Sequence, residues 1–307
     1  MSLARSALLW ISENRKLRES LPRLTFVRRA VTRFMPGETV EEALPAAIEL
    51  KKRSINTIFT QLGENITTES EAAAVRDHYL SVLDLLHQQG LNTYVSVKLT
   101  QLGLDLDTSL CLHNVRAIAG RAKALGNMVW IDIEQSQYVD RTIDVFTSVR
   151  DEFPNTGLCL QAYLYRTQAD LNALLPLHPA IRLVKGAYKE PPSVAFPRKE
   201  DVDRNYLALA TLLLENVREG AYAGFATHDT LLHAKIQEAA ERIGLSKKEY
   251  EFQMLYGINM AEQYRLADEG YAVRNLISYG SYWFPWYIRR LAERPANIWF
   301  VMKNLLS

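Results

Sequence analysis

The chain has 307 residues, of which 48% are hydrophobic and 23% charged, as in soluble globular proteins. Its 36 basic and 35 acidic residues leave a net charge of +1, without the basic excess a general nucleic-acid binder uses to displace counterions. Two cysteines, Cys111 and Cys159, are too few for a disulfide scaffold, and neither a spanning run of about 18 apolar residues nor a signal peptide is evident, so we expect reduced thiols and a cytoplasmic protein.

Residues 1–36 read as a helical arm. Pro45 interrupts the next helical pattern and is expected to kink it. Eight strand-like runs then alternate with helical stretches. The first four are Ile55 to Leu62, Tyr94 to Leu99, Met128 to Ile133 and Leu158 to Leu164. The last four are Ile181 to Lys185, Tyr222 to Thr227, Glu251 to Leu255 and Tyr271 to Ile277. Each is followed by enough chain for a crossover helix, which predicts a parallel sheet closed into a (βα)8 TIM-like barrel. Thr68 with Glu71, and Ser246 with Glu249, have capping-box spacing. Leu207 to Val217 carries an apolar helical face. Gly90, Gly126, Gly220, Gly244 and Gly270 close helical runs where a left-handed cap is wanted. No linker or repeat divides the chain, so residues 1–307 are expected to form one domain.

In such a barrel chemistry sits at the C-terminal strand ends. Those ends carry Gln61 and Glu64, Lys98 and Gln101, Asp132 and Glu134, Gln161 to Arg166, Arg182 to Tyr188, Thr227 to Asp229, and Phe252 to Gly257. A final helix carries Arg289 and Arg290. Taken singly, Lys98 can be a surface lysine, Asp132 its partner, His228 a structural histidine and the two arginines a solvated face. Taken together, several ionisable groups at one mouth are costly unless they pair or bind something. Paired arginines can grip a carboxylate and Lys98 can add a charge. Asp132 can hold Lys98. The Lys185-Gly186-Ala187 turn removes bulk where a flat ring can approach the backbone. No GxGxxG opens a βα unit, which argues against a Rossmann site. A metal-dependent hydrolase would draw on His228 and Asp229, but six histidines without His-x-His or HExxH are poor material for it, and no metal is expected.

Several segments resemble the proline dehydrogenase family. They are Val95 to Leu102 (VSVKLTQL), Gln161 to Arg166 (QAYLYR), Arg182 to Tyr188 (RLVKGAY), Phe225 to Asp229 (FATHD), Phe252 to Gly257 (FQMLYG) and Arg289 to Pro295 (RRLAERP). They follow the family order from about Glu38 to the C-terminus, and the length resembles monofunctional bacterial members. The resemblance implies a distorted barrel with non-covalent FAD and hydride transfer from the carbon beside the substrate nitrogen. For proline the product is Δ1-pyrroline-5-carboxylate, and electrons pass on to a membrane quinone. It implies that Arg182 contacts the reactive flavin nitrogen and Gln161 the isoalloxazine. Val184, Gly186 and Ala187 line the flavin, with Lys185 near its ribityl or phosphate portion. Thr227, His228 and Gln253 contact the ribityl, pyrophosphate or adenosine. Lys98, Arg289 and Arg290 bind the substrate carboxylate, and Asp132 orients Lys98. Ala187, Tyr188 and Leu255 wall the pocket, and Glu64 matches a carboxylate that pairs with the first arginine when the site is open.

Two positions depart from the family. Leu276 and Trp286 stand where it places tyrosines against the substrate ring. Either the pocket is repacked and still takes proline, since apolar pockets discriminate methylene-sized changes weakly, or the substrate has changed. The indole face of Trp286 favours a larger or N-substituted ring amine. Pipecolate and N-methylated proline fit that better than hydroxyproline, whose hydroxyl finds no evident partner. A non-catalytic flavin- or amino-acid-binding homologue is the further alternative. Residues Ile298 to Met302, Leu305 and Leu306 read as a core-docking final helix or as a transient peripheral membrane contact toward quinone.

Overall fold

The computed structural model describes residues 31–63 and 66–284. Eight parallel strands close into a barrel in chain order. They are β1 (Asn56–Gln61), β2 (Thr93–Val97), β3 (Val129–Ile131), β4 (Thr156–Gln161), β5 (Ala180–Val184), β6 (Tyr222–Ala226), β7 (Tyr250–Leu255) and β8 (Ala272–Tyr279). Closure comes from β8 against β1, in register from Asn56 opposite Arg274 to Gln61 opposite Tyr279. All eight expected strands are present, shifted at their ends. The third is shorter than expected, and the fourth leaves its ladder after Gln161. Ala162 and Tyr163 enter a turn there, their N–H groups still donating to the Val184 and Lys185 carbonyls, and Leu164 bridges Ala195.

Helix α1 (Val40–Lys52) precedes β1, and seven helices follow the first seven strands. These are α2 (Glu69–Gln88), α3 (Thr108–Ala124), α4 (Val139–Arg150), α5 (Thr167–Leu174), α6 (Lys199–Glu215), α7 (Thr230–Arg242) and α8 (Met260–Asp268). Thr68 and Glu71 form the expected capping box on α2. A second box, Thr39 with Glu42, starts α1 and was readable in the same Thr-x-x-Glu spacing. Helix α1 runs on through Pro45. Glu249 does accept from the Ser246 N–H at 2.6 Å, but the pair shapes a turn into β7 rather than a helix start. The five glycines expected as caps all have positive φ. Helix α6 is longer than its apolar stripe foretold, burying Tyr206, Leu209, Leu213 and Leu214.

Only the end of the N-terminal arm is described. Val31, Phe34 and Met35 are buried. This end lies so close to β7 that a Cβ on Gly257, whose φ is +74°, would sit 1.8 Å from the Arg33 carbonyl oxygen. The remainder of the arm, Glu64, Trp286, Arg289, Arg290 and the apolar C-terminal stretch lie outside the described residues.

Successive strand residues point alternately outward and inward. The outward set joins the helices in one large apolar core. The inward set makes a small second core of Ile58, Trp130 and Ala180, with Tyr94, Met128, Tyr222 and Leu276 packed on it. A barrel interior of this kind is usually dominated by branched apolar side chains. Here it also holds two ionic clusters, one at each end.

Candidate active site at the barrel mouth

Lys98, immediately after β2, and Asp132, immediately after β3, are brought together by the strand ladder. The Lys98 Nζ donates to Asp132 Oδ2 at 3.1 Å. Arg182, on β5, reaches across the barrel to the other oxygen, Asp132 Oδ1. Ser96 Oγ also donates to Oδ1, at 2.8 Å, and accepts from Arg182 Nη2 at 2.6 Å. Arg182 Nε donates to Cys159 Sγ, and the guanidinium lies 5.0 Å from the Trp130 ring centroid. One carboxylate therefore holds two cations, where the sequence led us to expect one. Ser96, Cys159 and Trp130 were not anticipated in this role. Period-two alternation is the signal that could have found them, since each lies two residues before an inward polar residue: Lys98, Gln161 and Asp132.

Burial pushes the Asp132 carboxyl upward, but Lys98 and Arg182 outweigh it and hold the group below the usual range. Burial likewise opposes the Lys98 charge, and Asp132 overcomes this, helped by Tyr188 and Glu134, so its pKa is raised. Burial pushes the Cys159 thiol up to about 12 despite Arg182, so it stands as a neutral thiol. Glu134, two residues past Asp132, behaves oppositely. Burial raises its pKa more than Lys98 and its hydrogen bonds from Thr100 lower it.

The next set lies in one row across four strands: Gln161 opposite Val184, Val184 opposite Ala226, Ala226 opposite Gln253. Gln161 Nε2 donates to the Glu134 carbonyl at 3.2 Å. Gln253 Nε2 donates to Glu251 Oε1 at 2.9 Å. Their carbonyl oxygens, and Arg182 Nη1, are buried without a hydrogen-bond partner. Buried polar groups in folded proteins are almost always satisfied. Two open acceptors in this row, and one open donor on Arg182 two residues before it on β5, therefore suit a bound polar molecule.

The outer part of the mouth differs from expectation in detail. Gly186 has φ +119°, and a Cβ there would lie 2.2 Å from the Tyr163 ring. The bulk that this glycine spares makes room for the Tyr163 ring on that side of the turn. Lys185 Nζ is clamped between Asp203 Oδ1 at 2.5 Å and Asp229 Oδ2 at 2.8 Å. His228 Nε2 accepts from the Leu255 N–H at 3.3 Å, and the Thr227 carbonyl pairs with His233 Nε2 at 3.0 Å. His228 and Asp229, the pair a metal hydrolase would need, are both engaged in shaping the mouth. Among the described residues no three His, Cys, Asp or Glu side chains converge as metal ligands. Leu255 lies opposite Leu276 on the β7–β8 ladder, and both are half-buried. After β5, Ala187 is exposed and Tyr188 half-buried.

Residues 43–303 match the family model described as proline dehydrogenase. The chain is 36% identical over 305 residues to proline dehydrogenase 1 of Bacillus subtilis, covering 99% of this chain and all of that one. It is 37% identical over 310 residues to proline dehydrogenase of Deinococcus radiodurans, covering 99% and 98%. Among solved structures, proline utilization A (PutA) from Bdellovibrio bacteriovorus, inactivated by N-propargylglycine, superposes with TM-score 0.83 at 24% identity. That match covers 94% of this chain and 38% of the longer protein, and at this identity it speaks for the barrel alone. The family model over most of the chain and the full-length relatives give one conclusion: the chain belongs to the proline dehydrogenase family.

Proposed function

We propose that this protein is an FAD-dependent proline dehydrogenase that oxidises L-proline to Δ1-pyrroline-5-carboxylate and passes the electrons to quinone. The observation that carries the cofactor is a set of buried, unpartnered atoms on the inner strands: Gln161 Oε1, Gln253 Oε1 and Arg182 Nη1. A flavin offers matching hydroxyl and N–H donors and ring acceptors, so the residues present fit it. Gln161, Arg182, Val184, Gly186, Ala187, Thr227, His228 and Gln253 would hold it, with Lys185 at its outer portion. When bound it supplies a two-electron acceptor for hydride.

The chain's own residues bind and orient the amino acid. Lys98, held charged and in place by Asp132, presents an ammonium to the substrate carboxylate. Arg289 and Arg290 complete that grip in this reading. Loss of one proton from the ring ammonium frees the nitrogen lone pair. Hydride then leaves the adjacent carbon and a C=N bond forms. Leu255 and Leu276 form an apolar wall against the ring, and the family resemblance assigns Tyr188 and Trp286 to the same task. No long apolar helix capable of crossing a membrane occurs among the described residues. We read the protein as a cytoplasmic enzyme that meets quinone at the membrane surface.

The test is an anaerobic titration of the purified protein. A flavin spectrum that bleaches on adding L-proline is the expected result. Bleaching by pipecolate, N-methylproline or hydroxyproline but not by proline would assign a changed substrate to Leu276 and Trp286. A folded, colourless protein that takes up no FAD would overturn the reading.

A further inference from the structure

At the floor of the barrel, Arg274 on β8 and Glu251 on β7 form an ion pair, with Nε 3.0 Å from each carboxylate oxygen. Arg274 also donates to the Thr57 and Asn92 carbonyls at 3.2 and 3.0 Å, and stacks 3.5 Å from the Tyr94 ring centroid. Both side chains are almost fully buried. An ionised carboxylate only accepts hydrogen bonds. Glu251 therefore dictates the orientation of the Gln253 amide above it: Nε2 must face the carboxylate, leaving Oε1 as the free face. Gly224 on β6 gives that amide its room, since a Cβ there would stand 2.8 Å from Gln253 Nε2.

Resting on the flavin site proposed above, we propose that Glu251, locked by Arg274, is a positioning residue for the cofactor. It fixes Gln253 as a hydrogen-bond acceptor toward a hydroxyl or N–H donor of the bound flavin. Without Glu251 the amide can turn over and present its amino group, which such a donor cannot use.

The experiment measures FAD affinity on the full chain, stripped of flavin and titrated with FAD by fluorescence quenching. Glu251→Gln is expected to weaken FAD roughly five- to tenfold, the size of one lost oriented hydrogen bond. Gly224→Ala, which disturbs the amide but leaves the ion pair intact, is expected to do the same. In a Gln253→Met background both effects are expected to vanish, because the group they act through is gone. A merely structural role would weaken binding equally in both backgrounds, and that result overturns the proposal. So does unchanged affinity in folded Glu251→Gln. If Glu251→Gln does not fold, Gly224→Ala decides by the same criterion. Failure of the unsubstituted protein to take up FAD is a separate result and removes the flavin reading itself.

Discussion

The two ends of the barrel interior each hold a buried arginine on a carboxylate, and they are finished differently. At the floor, Arg274 meets both oxygens of Glu251, two backbone carbonyls and an aromatic face. At the mouth, Arg182 shares Asp132 with Lys98 and keeps Nη1 unpartnered, while the Lys98 side chain remains 26% exposed. The floor has the form of a closed structural joint. The mouth is poised for something outside the chain to complete it.

That contrast is broken most directly at the floor. Arg274→Met leaves Glu251 buried without its cation, and removing one member of a buried pair costs about 3–5 kcal/mol. Chemical denaturation should show a loss of that size. A loss below about 1 kcal/mol would mean that the floor pair is no tighter than a surface contact.

Lys98→Met tests the other end and should invert the pattern. The lysine is partly exposed and Asp132 keeps Arg182, so the fold should lose little. Loss of the charge facing the substrate carboxylate should lower kcat/KM for proline about 100-fold, the order of a charge-assisted contact. Steady-state kinetics beside a melt would separate the two. If Lys98→Met destabilises the protein as much as Arg274→Met does, the mouth is a structural joint as well and the comparison fails.

How much of this was readable beforehand differs between the two ends. Strand alternation and turn glycines placed all eight strands, and strand-end polarity gave Lys98, Asp132, Gln161 and Arg182. Those residues converge because a β/α barrel gathers every strand end at one face. The floor pair escaped notice because Glu251 and Arg274 meet only through the β7–β8 register, where Gln253 stands opposite Arg274. Nothing local marks either residue as a partner of the other. Cys159 beneath Arg182 escaped for a related reason: a lone cysteine in an apolar run reads as core until the strand's inward face is known. The Lys185 clamp also needed three dimensions, since Asp203 lies on α6 and Asp229 at the cap of α7.

The finest form of the comparison lies within the mouth, between Asp132 and Glu134. Asp132 has two cations, and its pKa is held down. Its stabilising contribution is thus complete above the ordinary aspartate range and lost as pH falls through the lowered value. Glu134 accepts from Thr100 Oγ1 at 2.9 Å to each oxygen and from the Thr100 N–H at 3.3 Å, yet burial keeps its pKa raised. The sign is reversed for it: a folded pKa above the unfolded one gives stability below the unfolded pKa that is lost as pH rises through the folded value. Wherever Glu134 is ionised, its charge is a cost to the fold. Glu134→Gln keeps an acceptor for Thr100 and abolishes the titration. The variant should melt about 2 °C higher than the unsubstituted protein at pH 8, and the gap should close as the pH falls and the carboxyl regains its proton. A variant that melts lower at pH 8 would show that Lys98 and Thr100 stabilise the Glu134 charge more than burial penalises it, making the mouth a balanced set of two cations and two anions rather than one carboxylate held between two cations.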